Sequence, residues 1–213
     1  LRIQEPSLLK VPGLIVALMF FCASAWAQNT TPPAPQWEFY ASELGYWLTE
    51  GGSYVSPVLT ADRRALHLEA RYNYESRNTG SLWIGRNFTV GKKTTLELTP
   101  MIGAVFGGSD GVAPGLLASF QHGRFSADYQ AEYLIETDRS ESFFYSWAEL
   151  FYSPREWLRA GIVIQRTKAY QTEFDLQRGV FGGVSFRKAD LTLYILDPGT
   201  PHPVTVLGLG FRF

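Results

Sequence analysis

From Trp37 onward, apolar and polar residues alternate along the chain. Leu66, Leu68, Ala70, Tyr72 and Tyr74 share one side of a stretch whose other side carries His67, Glu69, Arg71 and Asn73. Leu96, Leu98, Pro100, Ile102, Ala104 and Phe106 oppose Thr95, Glu97, Thr99 and Met101. Phe125, Ala127, Tyr129, Ala131, Tyr133 and Ile135 oppose Ser126, Asp128, Gln130, Glu132 and Glu136. Leu158, Ala160, Ile162 and Ile164 oppose Arg159, Gly161 and Gln165, and Val180, Gly182, Val184 and Phe186 form a further apolar row. The last ten residues set Thr205, Leu207, Leu209, Phe211 and Phe213 against Val206, Gly208, Gly210 and Arg212. A period of two predicts strands whose faces meet different surroundings. No helical period of comparable strength appears after Trp37.

The runs last about 10–13 residues, longer than the usual 5–6 of globular strands and matched to a tilted membrane strand. Residues 36–213 hold twelve such segments. Their connections alternate in length. Short ones fall at 62–64, 91–93, 122–124, 153–156 and 188–190, each with a basic residue. Mostly longer ones fall at 49–54, 76–79, 107–112, 138–141, 170–177 and 197–203, and carry Glu50, Asp110, Asp138, Glu141, Asp175 and Asp197. This is the connection pattern of an even-stranded transmembrane barrel with short turns on one side. The expected fold is therefore all-β, a closed antiparallel transmembrane β-barrel of twelve strands, or of ten if residues 36–60 form a plug. The final alternating strand, ending in Phe213, resembles the closing strand of bacterial outer-membrane β-barrel proteins. That resemblance implies recognition of Phe213 by the barrel-assembly machinery and placement in a bacterial outer membrane among its lipids and lipopolysaccharide.

Three positions fit this pattern poorly. Arg86 falls between Ile84 and Phe88 on an outward face, where a midplane charge would cost about 2–4 kcal/mol. Trp37 to Leu48 alternates less cleanly, and Ser146 interrupts the row of Phe144, Ala148, Leu150 and Tyr152.

Composition narrows the classes. Nineteen Lys and Arg balance twenty Asp and Glu, so there is no basic footprint for nucleic acid. Aromatics make up 15% of the chain, which suits interfacial girdles. Residues 1–27 read as a signal peptide. Arg2 and Lys10 precede an apolar run from Val11 to Ala23, and Ala25-Trp26-Ala27 precedes a predicted cleavage before Gln28. The only cysteine, Cys22, falls in that segment. A polar, Pro-rich linker follows over 28–35, and the barrel domain spans 36–213.

In such a barrel the polar rows line the interior. The expected lumen residues are Glu69, Arg71, Glu97, Asp128, Glu132, Glu149, Arg159 and Gln165. Glu149 and Arg159, flanking the 153–156 turn, are predicted to pair across strands, and Glu97, Glu69 and Arg71 are expected at similar heights. Mixed charges of this kind suit either a constriction passing small polar solutes or a structural network plugging a narrow barrel. Acidic outer loops could hold lipopolysaccharide-bound divalent cations. A third reading is a lipid-hydrolysing barrel built on His67 and Glu69, but no serine is placed to complete it, and the chain is read as not an enzyme. No metal-ligand spacing, phosphate loop or cofactor motif appears.

Overall fold

The computed structural model describes residues 36–48, 52–137, 142–167 and 175–213. The predicted signal peptide, its cleavage point, Cys22 and the linker lie outside the described residues. The strands are β1 (Glu38–Trp47), β2 (Tyr54–Arg63), β3 (Leu66–Tyr72), β4 (Thr79–Arg86), β5 (Phe88–Gly91), β6 (Thr94–Gly107), β7 (Gly111–His122), β8 (Phe125–Glu136), β9 (Phe143–Arg155), β10 (Leu158–Thr167), β11 (Asp175–Phe186), β12 (Ala189–Leu196) and β13 (Val204–Arg212). Each pairs antiparallel with its sequence neighbour, except that β4 and β5 both run along β6. β1 pairs with both β2 and β13, which closes the sheet. Because β1 and β2 are part of the wall, the ten-strand alternative is excluded.

β4 and β5 form one stave with a break, so the barrel has twelve staves. The register is unchanged from Gly85↔Met101 to Phe88↔Leu98. It sets Arg86 against Pro100 and Asn87 against Thr99. Proline has no N–H to give the ladder, so pairing lapses there. On the other side of the stave the β3–β4 register continues, and the Asn87 N–H donates to the Ala65 carbonyl at 2.8 Å.

The short connections, at 64–65, 92–93, 123–124, 156–157 and 187–188, fall at one end. The predicted rows face outward: Leu82, Ile84, Ile102, Ile135, Leu150, Ile162, Val180, Leu193 and Leu209 are all exposed. So continuous an apolar surface needs a non-aqueous cover. Arg86 also faces out, but it pairs with Leu66 beside the 64–65 turn and lies over the Phe88 ring. A charge at the rim of a barrel lies away from the midplane, where the expected penalty applies. Ser146 is outward too, opposite Arg166 near the loop end. β1 alternates once register is known: Tyr40, Ser42, Leu44 and Tyr46 turn in, while Phe39, Ala41, Glu43, Gly45 and Trp47 turn out. Glu43, opposite Pro57 and Leu209, is the only carboxylate among the outward-facing strand residues described.

The buried core lies inside the barrel, in the half nearer the long loops. Trp83, Val105, Ala113, Leu134, Phe143, Tyr145, Val163, Phe181, Leu196 and Val206 meet there, all less than one-tenth exposed. Many of the aromatic rings fill the interior. Tyr74, expected outward beside Tyr72, is corrected by the structure and packs against this core. Asn73 takes a positive φ of 54°, a conformation asparagine tolerates better than most residues. That reverses the chain, so Tyr74 and Glu75 dip into the lumen.

Candidate functional site

The interior has a stoppered half and an open half. The stopper is organised around Arg71, whose side chain is fully buried. Its Nε donates to Glu69 Oε1 at 2.9 Å, Nη2 to Glu69 Oε2 at 3.2 Å, and Nη1 to Glu132 Oε2 at 2.6 Å. Nη1 also lies 3.6 Å from Glu75 Oε1. The guanidinium sits over Trp83 at 4.4 Å and Tyr74 at 4.6 Å. Turned to suit its neighbours, the Gln130 amide places its oxygen 2.9 Å from Arg71 Nη2 and its nitrogen 2.8 Å from Tyr74 Oη.

Sequence explains part of this. Glu69 and Arg71 are two apart on one strand and so share the inward face. Glu132 comes from β8 across the lumen and Glu75 from the inverted β3–β4 loop. Ser81 Oγ donates to Glu75 Oε1 at 2.6 Å, and Trp83 Nε1 donates to Ser81 Oγ at 2.9 Å. Burial of the Tyr74 phenol, in that loop, pushes its pKa well above the ordinary tyrosine value. Three carboxylates thus surround one guanidinium, a buried charge that must be paired.

A second chain of bonds runs toward the short-turn end. Thr99 Oγ1 donates to Asn87 Oδ1 at 2.6 Å, and Asn87 Nδ2 donates to Asp62 Oδ1 at 2.6 Å. His67 Nδ1 lies 2.8 Å from Asp62 Oδ1, and its Nε2 lies 3.3 Å from Glu69 Oε2. Both ring nitrogens therefore face carboxylates. A general base needs one nitrogen free toward the proton it removes, and His67 is not arranged that way.

Below the stopper a cavity of about 830 Å³ reaches the rim at Gln36, Glu38 and Arg64. Its wall carries Glu38, Asp62, Glu69, Glu97, Asp128, Glu149 and Asp190 against Arg64 and Arg159, with Tyr40, Trp147 and Tyr194 among its aromatic surfaces. The cavity is a cup open at the short-turn end.

Of the residues expected in the lumen, Glu69, Arg71 and Glu132 meet in the stopper, and Gln165 is buried in the wall at that depth, opposite Trp147. Glu97, Asp128, Glu149 and Arg159 line the cup. The structure does not bring Glu149 and Arg159 together. β9 runs on to Arg155, so the turn is 156–157 and not 153–156, and Glu149 faces Val163, four residues beyond Arg159. Glu149 Oε1 accepts from Trp147 Nε1 at 2.8 Å and Tyr194 Oη at 2.9 Å, and Arg159 Nη2 donates to Thr192 Oγ1 at 2.7 Å. Nor does Glu97 share a level with Glu69 and Arg71. Glu69 is level with Trp83 and Gly103, whereas Glu97 pairs with Thr89 and Ser119 far down β6. Sequence reading missed Glu75, Trp83 and Trp147. Trp83 and Trp147 each sit on the inward parity of their strand, and that parity was the available signal. Phe213 ends the chain at the short-turn rim, its ring outward against Phe211 and its N–H donating to the Phe39 carbonyl at 3.0 Å.

No protein-family model matches the chain, and no curated protein matches it. Solved structures do. The chain is similar to the KdgM porin, with a TM-score of 0.59 at 9% identity over 82% of this chain and 99% of that one. It is similar to the same porin in complex with disordered oligogalacturonate, with a TM-score of 0.58 at 8% identity over 82% and 99%. Omp33 of Acinetobacter baumannii gives a TM-score of 0.49 at 9% identity over 84% and 100%. At these identities the likeness is one of fold, the fold of bacterial outer-membrane β-barrel proteins.

Proposed function

We propose that this chain, a twelve-stave barrel with the fold of bacterial outer-membrane proteins, is a narrow conduit for small polar solutes in that membrane, stoppered across its loop-side half. The observation that carries this reading is the Arg71 layer: a fully buried guanidinium bound to Glu69 and Glu132 from opposite walls, seated on Trp83 and Tyr74. The exposed apolar band supports the membrane placement, with Phe213 as the assembly signal at the short-turn, periplasmic rim. The polar groups that interrupt the aromatic layer make it a constriction that small solutes cross only when it rearranges. The oligogalacturonate of the similar porin is a polyanion. The cup here is predominantly acidic, so that cargo is not carried over.

Planar-bilayer recording tests the reading. Wild type is expected to show small, infrequent conductance steps, and Arg71→Ala larger and more frequent ones. A large steady wild-type conductance would refute the stopper. Folded stopper variants that never conduct would refute the conduit and favour a second reading, a structural barrel of the envelope. That reading draws on the filled interior. It also predicts lipopolysaccharide contact through the acidic outer loops, of which Asp110 accepts the Gly107 N–H within its turn and Asp197 accepts the N–H of Arg178 on the neighbouring strand β11.

A further inference from the structure

We infer that the cup binds a small organic cation, with Asp128 and Glu149 as the carboxylate pair that receives its ammonium group; this rests on reading the cup as the solute-facing compartment. The two residues are direct partners across β8 and β9, both pointing inward. Their Cβ atoms are therefore about 4.5–5.5 Å apart, and like charges so placed repel. A positively charged occupant relieves that repulsion.

Each carboxylate is half committed. Asp128 Oδ1 accepts from Ser119 Oγ at 2.6 Å, and Glu149 Oε1 takes both of that residue's bonds, from Trp147 and Tyr194. The second oxygens, Asp128 Oδ2 and Glu149 Oε2, receive no hydrogen bond from the described residues. They are not sealed in the wall either, because both residues line the cavity. Arg159, the arginine the sequence offered to Glu149, gives its hydrogen bond to Thr192 and acts on Glu149 only through space. The pair is thus held in place by its neighbours while its outer oxygens stay open.

Size and surface favour an organic occupant over a bare ion. The cavity is about 830 Å³, within the range of roughly 300–1,000 Å³ typical of small-molecule sites. Trp147 and Tyr194 pack edge-on, with centroids 5.2 Å apart at 80°, beside Glu149. Aromatic faces next to carboxylates suit an alkylammonium, whose carbons lie on the rings while its charge meets both the oxygens and the π-cloud. Glu97 extends the carboxylates round the wall through the register Glu97↔Ser119↔Asp128, offering a place for a second amine. Glu69 is paired with Arg71 and Asp190 with Arg212, which leaves Glu38, Asp62, Glu97, Asp128 and Glu149 against Arg64 and Arg159, a field that disfavours anions.

The test is calorimetric titration of putrescine into the full barrel in nanodiscs of zwitterionic lipid, with succinate as a matched anion. Putrescine is expected to bind and succinate not to bind. Asp128→Asn and Glu149→Gln should each weaken putrescine at least tenfold while keeping the heat-modifiable gel migration of a folded barrel. The inference is overturned if putrescine does not bind wild type, if both folded variants bind it as wild type does, or if succinate binds equally. Labelling of Thr60→Cys, within the cup, by a cationic thiosulfonate separates the two levels of failure. Labelling without putrescine binding removes the cation site and leaves the cup, whereas failure to label removes the open cup and the site together.

Discussion

Replacing Arg71 with alanine deletes the one cation among three inward carboxylates. Its side chain has no solvent exposure, and Glu69, Glu75 and Glu132 lie around it at 2.9, 3.6 and 2.6 Å. Their side chains are at most 6% exposed, so water cannot take over the lost role. Breaking a buried pair by removing one partner costs about 3–5 kcal/mol, because the uncompensated charges stay behind. The cost here belongs at the upper end, since more than one carboxylate loses its counter-ion. Arg71→Lys should fall between, as an ammonium cannot reproduce the fork onto both Glu69 oxygens. Removing every charge of the cluster, with Arg71→Met, Glu69→Gln, Glu75→Gln and Glu132→Gln together, should restore stability to within about 1 kcal/mol of wild type, since a neutral replacement of a buried ionic cluster is often harmless. The assay is reversible urea unfolding in lipid vesicles, followed by tryptophan fluorescence, with bilayer conductance on the same samples. A loss below about 1 kcal/mol for Arg71→Ala, or a quadruple variant no better than the single one, would refute the account of the stopper as an ionic cluster.

Three further outcomes rest on the packing. A Cβ at Gly103 would collide with the Trp83 indole, so Gly103→Ala should cost about 1–3 kcal/mol as overpacking and redshift tryptophan emission if Trp83 is forced from its layer. Glu43→Leu should raise vesicle stability by up to about 2 kcal/mol, because it removes a carboxylate from the outward band between Pro57 and Leu209; an unchanged urea midpoint would show that Glu43 already reaches water or a partner. Deleting Phe213 removes one edge hydrogen bond to Phe39, a net loss of about 0.5–1.5 kcal/mol. Refolding in vitro should therefore persist while the folded yield in cells falls severely, and equal losses in both would argue against an assembly signal.

Much of the wall was legible because period two is a local property. Leu207, Leu209 and Phe211 face outward as their spacing requires, and alternating turn lengths placed the five short connections at one end. Arg86 looked wrong only because sequence gives a residue's face and not its height. The register with Leu66 beside the 64–65 turn supplied the height. The same limit undid the Glu149–Arg159 pair, which was counted from a turn at 153–156, whereas β9 continues to Arg155 and turns at 156–157. Tyr74 was lost to a single left-handed residue, Asn73, whose conformation turns Tyr74 inward while Glu75 keeps the inward side its parity gives.

What the sequence determined by itself was the strand class, the two faces of each strand and an even-stranded wall, because side-chain direction in a strand depends only on neighbouring residues. What the tertiary structure decided was which inward side chains meet. Arg71 reaches Glu132 and Gln130 on β8, and Glu149 meets Tyr194 on β12, through strand stagger and the curvature that closes the sheet. Those contacts divide one polar row into a dry stopper and an open acidic cup, because distance across a lumen is set by the whole closed sheet and is written in no local stretch of the chain.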